Sequence, residues 1–190
     1  MSTLYSALSR AVPSAKRGNP LALLRALSCI YYLRPLLNKY RGVAIDRLSA
    51  DQCDVLSTVM FKWSTLPIFG GPRWLLVAEA VVTSVLKRRD APKAHTQALL
   101  LLTLVRILLV RGKKSEAKKR HAEVATLIPH ISDLNQKARV YRGCAEIVVG
   151  LEGAHGKEKA RKYLDLADAL PGIDDDVRVK TSEMRRVLGI

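Results

Sequence analysis

"ALLLLTLVRILLVRGKKSEAKKRHAEVATLIP", residues 98–129, carries the reading of this chain. From Ala98 to Val110 only Thr103 and Arg106 are polar. Arg111 and Gly112 then open a cationic run, and the stretch turns apolar again before Pro129. An apolar run this short with an internal arginine cannot span a bilayer, which needs about 20 residues. It reads as a buried core helix. Gly112 is a helix stop and Pro129 a second one, with Ser115 starting the helix between them. With Ala117 facing inward, His121, Val124, Ala125 and Ile128 fall on the same side, while Lys118, Lys119 and Arg120 spread over the other arc beside Glu116 and Glu123. Glu116 stands four residues before Arg120, a pairing worth about 0.2–0.5 kcal/mol. The stretch is therefore two helices joined by a glycine turn, the first apolar nearly all round and the second cationic outside.

The same punctuation extends in both directions. Asn19 and Pro20 form a helix start that runs to Gly42, with Pro35 as a kink. Ser49 caps a helix that ends before Pro67. Gly70, Gly71 and Pro72 begin the next, and Pro92 opens the one quoted above. Asp133 with Gln136 is capping-box-like. A helix lies between Gly156 and the Pro171–Gly172 pair, and Asp174, Asp175 and Asp176 set negative charge at the positive end of a last helix that reaches Leu188. No strand alternation appears, so the expected fold is all-α. Alternate helices start near 49, 93, 133 and 174, with partners near 72, 115 and 156, an interval of about 40 to 44 residues. Leu134, Ala138, Tyr141, Ala145 and Val148 make one apolar stripe, Val140 and Ile147 a second, and Ala160, Tyr163, Leu164, Ala167 and Leu170 the stripe of the following helix. A helix apolar on two sides needs neighbours on two sides. The expected architecture is a right-handed α-solenoid of antiparallel helical hairpins with a period of about 42 residues.

Residues 98–129 resemble a tetratricopeptide repeat: Leu101, Leu104 and Leu108 hold the large positions of the first helix, Gly112 the turn, Glu116 and Ala117 the Glu-Ala pair, and Pro129 the end. The pattern departs at Val105, where the family has a small residue, at His121, where it has an aromatic, and at Val124, where it has Ala. The spacing from Ala117 to Ala160 is also longer than the family's repeat of about 34 residues and nearer that of HEAT or armadillo repeats. The resemblance covers one repeat well, the next loosely and the first hundred residues hardly at all. It implies protein or peptide binding along a groove lined by the first helices of each hairpin.

Residues 1–18 form a separate segment, and 19–190 read as a single helical-repeat domain. "MSTLYSALSRAVPSAKRG" is Ser-rich and Arg-containing, and no acid occurs before Asp46. It resembles a mitochondrial transit peptide, although Pro13 interrupts its amphipathic pattern; a frayed terminus or a cationic arm on a partner are the alternatives. The location is thus cytoplasmic or mitochondrial. No secretory signal or membrane span is evident. A composition 48% apolar excludes a disordered chain. The net charge of +15 favours an anionic partner: RNA, DNA, acidic lipid or an acidic protein face.

Cys29, Cys53 and Cys144 are far apart and suit reduced thiols. The four histidines show no ligand spacing, so no metal or other cofactor is expected. No Walker loop, nucleophile elbow or dinucleotide fingerprint occurs, which disfavours an enzyme. The remaining candidates are binding residues. Thr103 and Arg106 on one inner helix and Gln136 and Arg139 on the next could line one groove and clamp a carboxylate or phosphate; alternatively each arginine pairs with an acid such as Glu146. Lys113, Lys114, Lys118, Lys119 and Arg120 form an anion or nucleic-acid patch without interleaved aromatics. The expected function is a non-enzymatic adaptor or complex subunit that binds another protein. The alternative is an RNA- or DNA-associated protein in an organellar ribonucleoprotein.

Overall fold

Ser49 begins the first described helix with a reciprocal capping box: its hydroxyl accepts from the Gln52 amide at 3.2 Å, and the Gln52 side-chain oxygen accepts from the Ser49 amide at 2.9 Å. The computed structural model describes residues 48–64, 72–88, 90 and 92–190, with the side chains of residues 63, 72 and 73 left aside. The transit-peptide-like segment, the helix start at Asn19 and Pro20, Pro35, Gly42, Cys29, Pro67, Gly70 and Gly71 lie outside the described residues.

The chain divides into two compact units, Met1–Asp90 and Ala91–Ile190. In the first, α1 (Ala50–Ser64) packs against α2 (Pro72–Leu86). Cys53, Leu56 and Met60 are buried on one stripe of α1, and Ala78, Val81, Val82 and Val85 on one stripe of α2, each at helical spacing. The guanidinium of Arg88, just past α2, donates to the carbonyl of Leu48, just before α1, at 2.7 Å. The two helices therefore run antiparallel.

The second unit holds α3 (Ala94–Val110), α4 (Lys114–Leu127), α5 (Leu134–Glu152), α6 (Gly156–Asp168) and α7 (Asp175–Leu188), with short 3₁₀ turns at Ile128–His130 and Gly153–His155. Among the described residues there is no strand. The turn after α3 is a Schellman motif: Gly112, at φ 73°, donates to the Leu109 carbonyl and Lys113 to that of Leu108. Glycine is needed there because a side chain disfavours that φ. Most of α3 is buried, as its composition predicts, whereas α4 buries only Ala117 and Val124. Ala125, expected inward, is exposed; it sits at the edge of the arc centred on Ala117 and Val124, and the solvated side takes it. The expected Glu116–Arg120 pair is replaced by Lys113–Glu116 at 3.4 Å and Arg120–Glu123 at 2.9 Å, both i, i+3 contacts of the same helix surface.

Contacts along α5 set its relations to both sides. Ala145 packs with Ala160 and Leu164, and Ala138 with Ala167, so α5 and α6 run antiparallel. Met184 and Leu188 join the first of those clusters and Val177 the second, which lays α7 antiparallel to α6. On its other face, α5 brings Gly143 against Leu102, Glu146 against Arg106 and Gly150 against Leu109. The partners advance in the same direction along both helices, so α3 and α5 lie parallel. Asn135, at the start of α5, likewise exchanges two hydrogen bonds with Asp174, at the start of α7, at 2.9 and 3.0 Å. The Arg142 side chain is buried between α5 and α7 and donates to the Val177 carbonyl at 2.8 Å.

Cys53 and Cys144 are buried free thiols; burial pushes the Cys144 thiol up to about 12. No helix among the described residues is long and apolar enough to cross a membrane.

Candidate functional site

The two arginines proposed for an inner groove end in different surroundings. Arg106 crosses to α5 and donates to one carboxylate oxygen of Glu146 from Nε at 3.3 Å and Nη2 at 2.8 Å. This is the second of the two arrangements open from sequence. Thr103 is 2% exposed, and so is Thr96 on the same strip of α3. Gln136 is half-buried; its amide nitrogen caps on Asp133 at 3.0 Å, while its side-chain oxygen has no hydrogen-bond partner. The capping box at this helix is thus one-sided. Arg139 is exposed. Of the cationic patch, Lys113, Lys114, Lys118 and Lys119 are exposed, and Arg120 is held half-buried by Glu123.

A different feature brings side chains from three helices together. An open cleft of about 330 Å³ is lined by His121 of α4, Val148 and Glu152 of α5, and Lys159, Lys162, Tyr163 and Leu166 of α6. Its lower end is built by the α5–α6 junction. A Cβ on Gly156 would stand 2.5 Å from the Val148 carbonyl oxygen, so only glycine lets α6 start against the last turns of α5. From there Lys159 donates back to both carboxylate oxygens of Glu152 at 2.8 and 2.9 Å. On α6, Lys159, Lys162, Tyr163 and Leu166 follow spacings of three, four and seven, which puts them on one side beside the buried Ala160 stripe.

The cleft floor is aromatic and aliphatic. His121 meets Tyr163 edge-on with ring centroids 6.1 Å apart, and Tyr141 backs Tyr163 at 6.3 Å. Leu166 is 49% exposed. Burial lowers the His121 imidazole below its ordinary range, against a smaller opposing pull from Glu152. Its Nε2 is buried without a hydrogen-bond partner. Burial also raises the Tyr163 phenol. The Lys159 hydrogen bond holds Glu152 below the usual carboxylate range, helped by Lys159, Lys118 and His121 through space. The result is an apolar floor beside two lysines, Lys159 and Lys162, each paired with a carboxylate, Glu152 and Glu158.

Such a surface suits non-covalent recognition. Among the described residues no three His, Cys, Asp or Glu side chains gather as a metal-ligand group, and Asp175 and Asp176 occupy the first turn of α7. Sequence reasoning placed Tyr163 in a core stripe and passed over Lys159, Lys162 and Leu166. The legible signal was Leu166 itself, a large apolar residue off the Ala160 stripe with Asp165 and Asp168 close by in the chain. Comparison with protein-family models, with curated proteins and with solved structures gives no match.

Proposed function

We propose that this chain is a non-enzymatic helical-repeat adaptor or complex subunit that binds another protein, its hairpins stacked as a right-handed, tetratricopeptide-like solenoid with a period of about 42 residues. The observation that carries the reading is the register between α3 and α5: Leu102 with Gly143, Arg106 with Glu146 and Leu109 with Gly150. Each contact joins residues about 40 apart, in parallel, which is how the first helices of successive repeats stack. Helical repeats of this kind present extended concave surfaces to partners. An organellar or cytoplasmic setting belongs to the same proposal, supported by the acid-free residues 1–18; imaging with and without them tests it, and unchanged cytosolic signal in both sinks the organellar version.

The exposure of Lys114, Lys118 and Lys119 favours a second reading, association with RNA or another polyanion. Lys113 and Arg120 are already paired with Glu116 and Glu123, so three contacts are the relevant number. With a slope near 0.7 per contact for single strands, affinity should drop about twentyfold between 50 and 200 mM salt. The deciding experiment is affinity purification of the full chain at both salts, before and after nuclease. The adaptor reading expects a protein that stays bound through nuclease and salt, and a variant with Gln at Lys113, Lys114, Lys118, Lys119 and Arg120 that retains it. Tight RNA binding abolished by those five changes, with no protein surviving nuclease, reverses the ranking.

A further inference from the structure

Successive hairpins are joined unequally. Between α3 and α5, Leu102 packs so close to Gly143 that a Cβ there would stand 2.6 Å from its Cδ1, and Arg106 holds Glu146. Between α4 and α6 lies the open cleft, crossed by the edge-on contact of His121 with Tyr163. The buried residues of α4 are Ala117 and Val124, and its main packing is on α3. We propose that His121 is an acid-released latch: protonation of its ring frees α4 from α6, and the two hairpins hinge about the α3–α5 seam. The device concerns the spacing of the hairpins and stands whatever the protein binds.

The latch rests on what surrounds the ring. Nε2 of His121 is buried without a hydrogen-bond partner. An imidazolium carries N–H at both nitrogens, so Nε2 would become a charged donor with no acceptor, a costly state away from water. The acid in the cleft wall, Glu152 of α5, already accepts Lys159 of α6 through both oxygens at 2.8 and 2.9 Å. Lys162 of α6 is paired with Glu158, and Lys118, one turn before His121 on α4, brings positive charge that Glu152 also feels. The remaining neighbours offer no compensating charge. Tyr163, with Tyr141 and the Cys144 thiol of α5 behind it, is raised by burial, as they are, and all three stay neutral where imidazole titrates. Val148 and Leu166 complete an apolar lining.

Proton binding therefore favours the open arrangement. Loss of water outweighs the pull of Glu152 and sets the closed imidazole low. An opened ring returns to its ordinary value, so the contact is present above that value and is lost as pH falls through the depressed one. Glu152 and Glu158 are held below the usual carboxylate range by Lys159 and Lys162 and remain ionised throughout. A cleft of about 330 Å³ leaves these side chains room to part while the α3–α5 contact stays closed.

The test is amide hydrogen exchange of the full chain, read by mass spectrometry at pH 8 and pH 5 for the wild type, His121→Phe and Glu152→Gln. Protection factors are compared, so the intrinsic pH dependence of exchange divides out. In the wild type, protection over α4 should fall about fivefold or more at pH 5, as for a buried donor left unpaired, while α3 and α5 keep theirs. His121→Phe keeps a ring against Tyr163 without a titrating proton and should abolish the fall. Glu152→Gln removes the opposing pull on the imidazole and should deepen it. A smaller fall in Glu152→Gln would mean that Glu152 takes up the proton, and overturns the proposal. So does no fall in the wild type, an equal fall in His121→Phe, or a gain of protection over α4 at pH 5. A loss spread evenly over Ala91–Ile190 also overturns it, since that is global unfolding and not a hinge. If melting shows that His121→Phe does not fold, the wild type and Glu152→Gln decide by the same outcomes.

Discussion

Replacing Gly143 by alanine should cost stability, and replacing Gly150 by alanine should not, although the two lie two turns apart on the same face of α5. A Cβ on Gly143 would stand 2.6 Å from Leu102 Cδ1 and 3.5 Å from the Arg106 guanidinium. Leu102 is only 1% exposed and cannot give way towards solvent. At Gly150 the nearest atom is Leu109 Cδ1 at 3.2 Å, and Leu109 is half-buried and can give way towards solvent. Alanine gains about 0.8–1.0 kcal/mol over glycine in a helix interior at either site. Overpacking at Gly143 costs about 1–3 kcal/mol, which outweighs or cancels that gain. The expected result is a loss of about 0–2 kcal/mol for Gly143→Ala and a gain of up to about 1 kcal/mol for Gly150→Ala. For a unit the size of Ala91–Ile190, each kcal/mol moves Tm by about 4–8 °C. Far-ultraviolet circular dichroism during thermal and urea unfolding reads both. Equal melting of the two alanine variants, or a higher Tm for Gly143→Ala, would refute the close approach of α3 and α5 and with it the register on which the repeat reading stands.

Ala117→Asp should destabilise by several kcal/mol, because it puts a carboxylate at a fully buried position of α4, whereas Ala125→Asp should stay within about 0.5 kcal/mol; urea titration of both variants checks it, and matching midpoints would mean that α4 is turned otherwise. A double-mutant cycle on Arg106 and Glu146, measured by the same unfolding assay, should give a coupling of about 0.5–1 kcal/mol, the modest value expected when Glu146 is nearly half exposed to screening solvent. His121 supplies the pH prediction. Its folded pKa is depressed by burial, so in the window below the ordinary imidazole value the unfolded chain binds more protons, and stability present above that value is lost as pH falls through the folded pKa. Melting of the wild type and of His121→Phe from pH 8 to pH 5 should show a steeper acid loss in the wild type; parallel curves would place the imidazole in water.

Helix order was legible in the sequence because its signals are local. The expected starts near 49, 72, 93, 115, 133, 156 and 174 meet helices that begin at Ala50, Pro72, Ala94, Lys114, Leu134, Gly156 and Asp175, since Ser49, Asp133, Pro72 and Gly112 act on the backbone within a turn of themselves. The inward stripe of α6 was legible for a similar reason: Ala160, Leu164 and Ala167 repeat at helical spacing, and burial follows that period. Ala125 was misassigned because a helix edge divides between core and solvent only when the neighbouring helix is in place.

The candidate site depended on contacts that helical spacing does not encode. Arg106 and Glu146 come from different hairpins, and whether an arginine faces a groove or a carboxylate depends on which acid the packing brings within reach. The cleft needs His121, Glu152 and Leu166 to converge from three helices, and that follows from the angle at which α6 leaves α5, set by backbone contact at Gly156. The sequence by itself determined an all-helical chain, its breaks and its cationic excess, because propensity, capping and charge are properties of neighbouring residues. Only the tertiary structure decided that Arg106 meets Glu146 and that His121, Glu152 and Leu166 share one cleft, because those depend on distances between residues far apart in the chain.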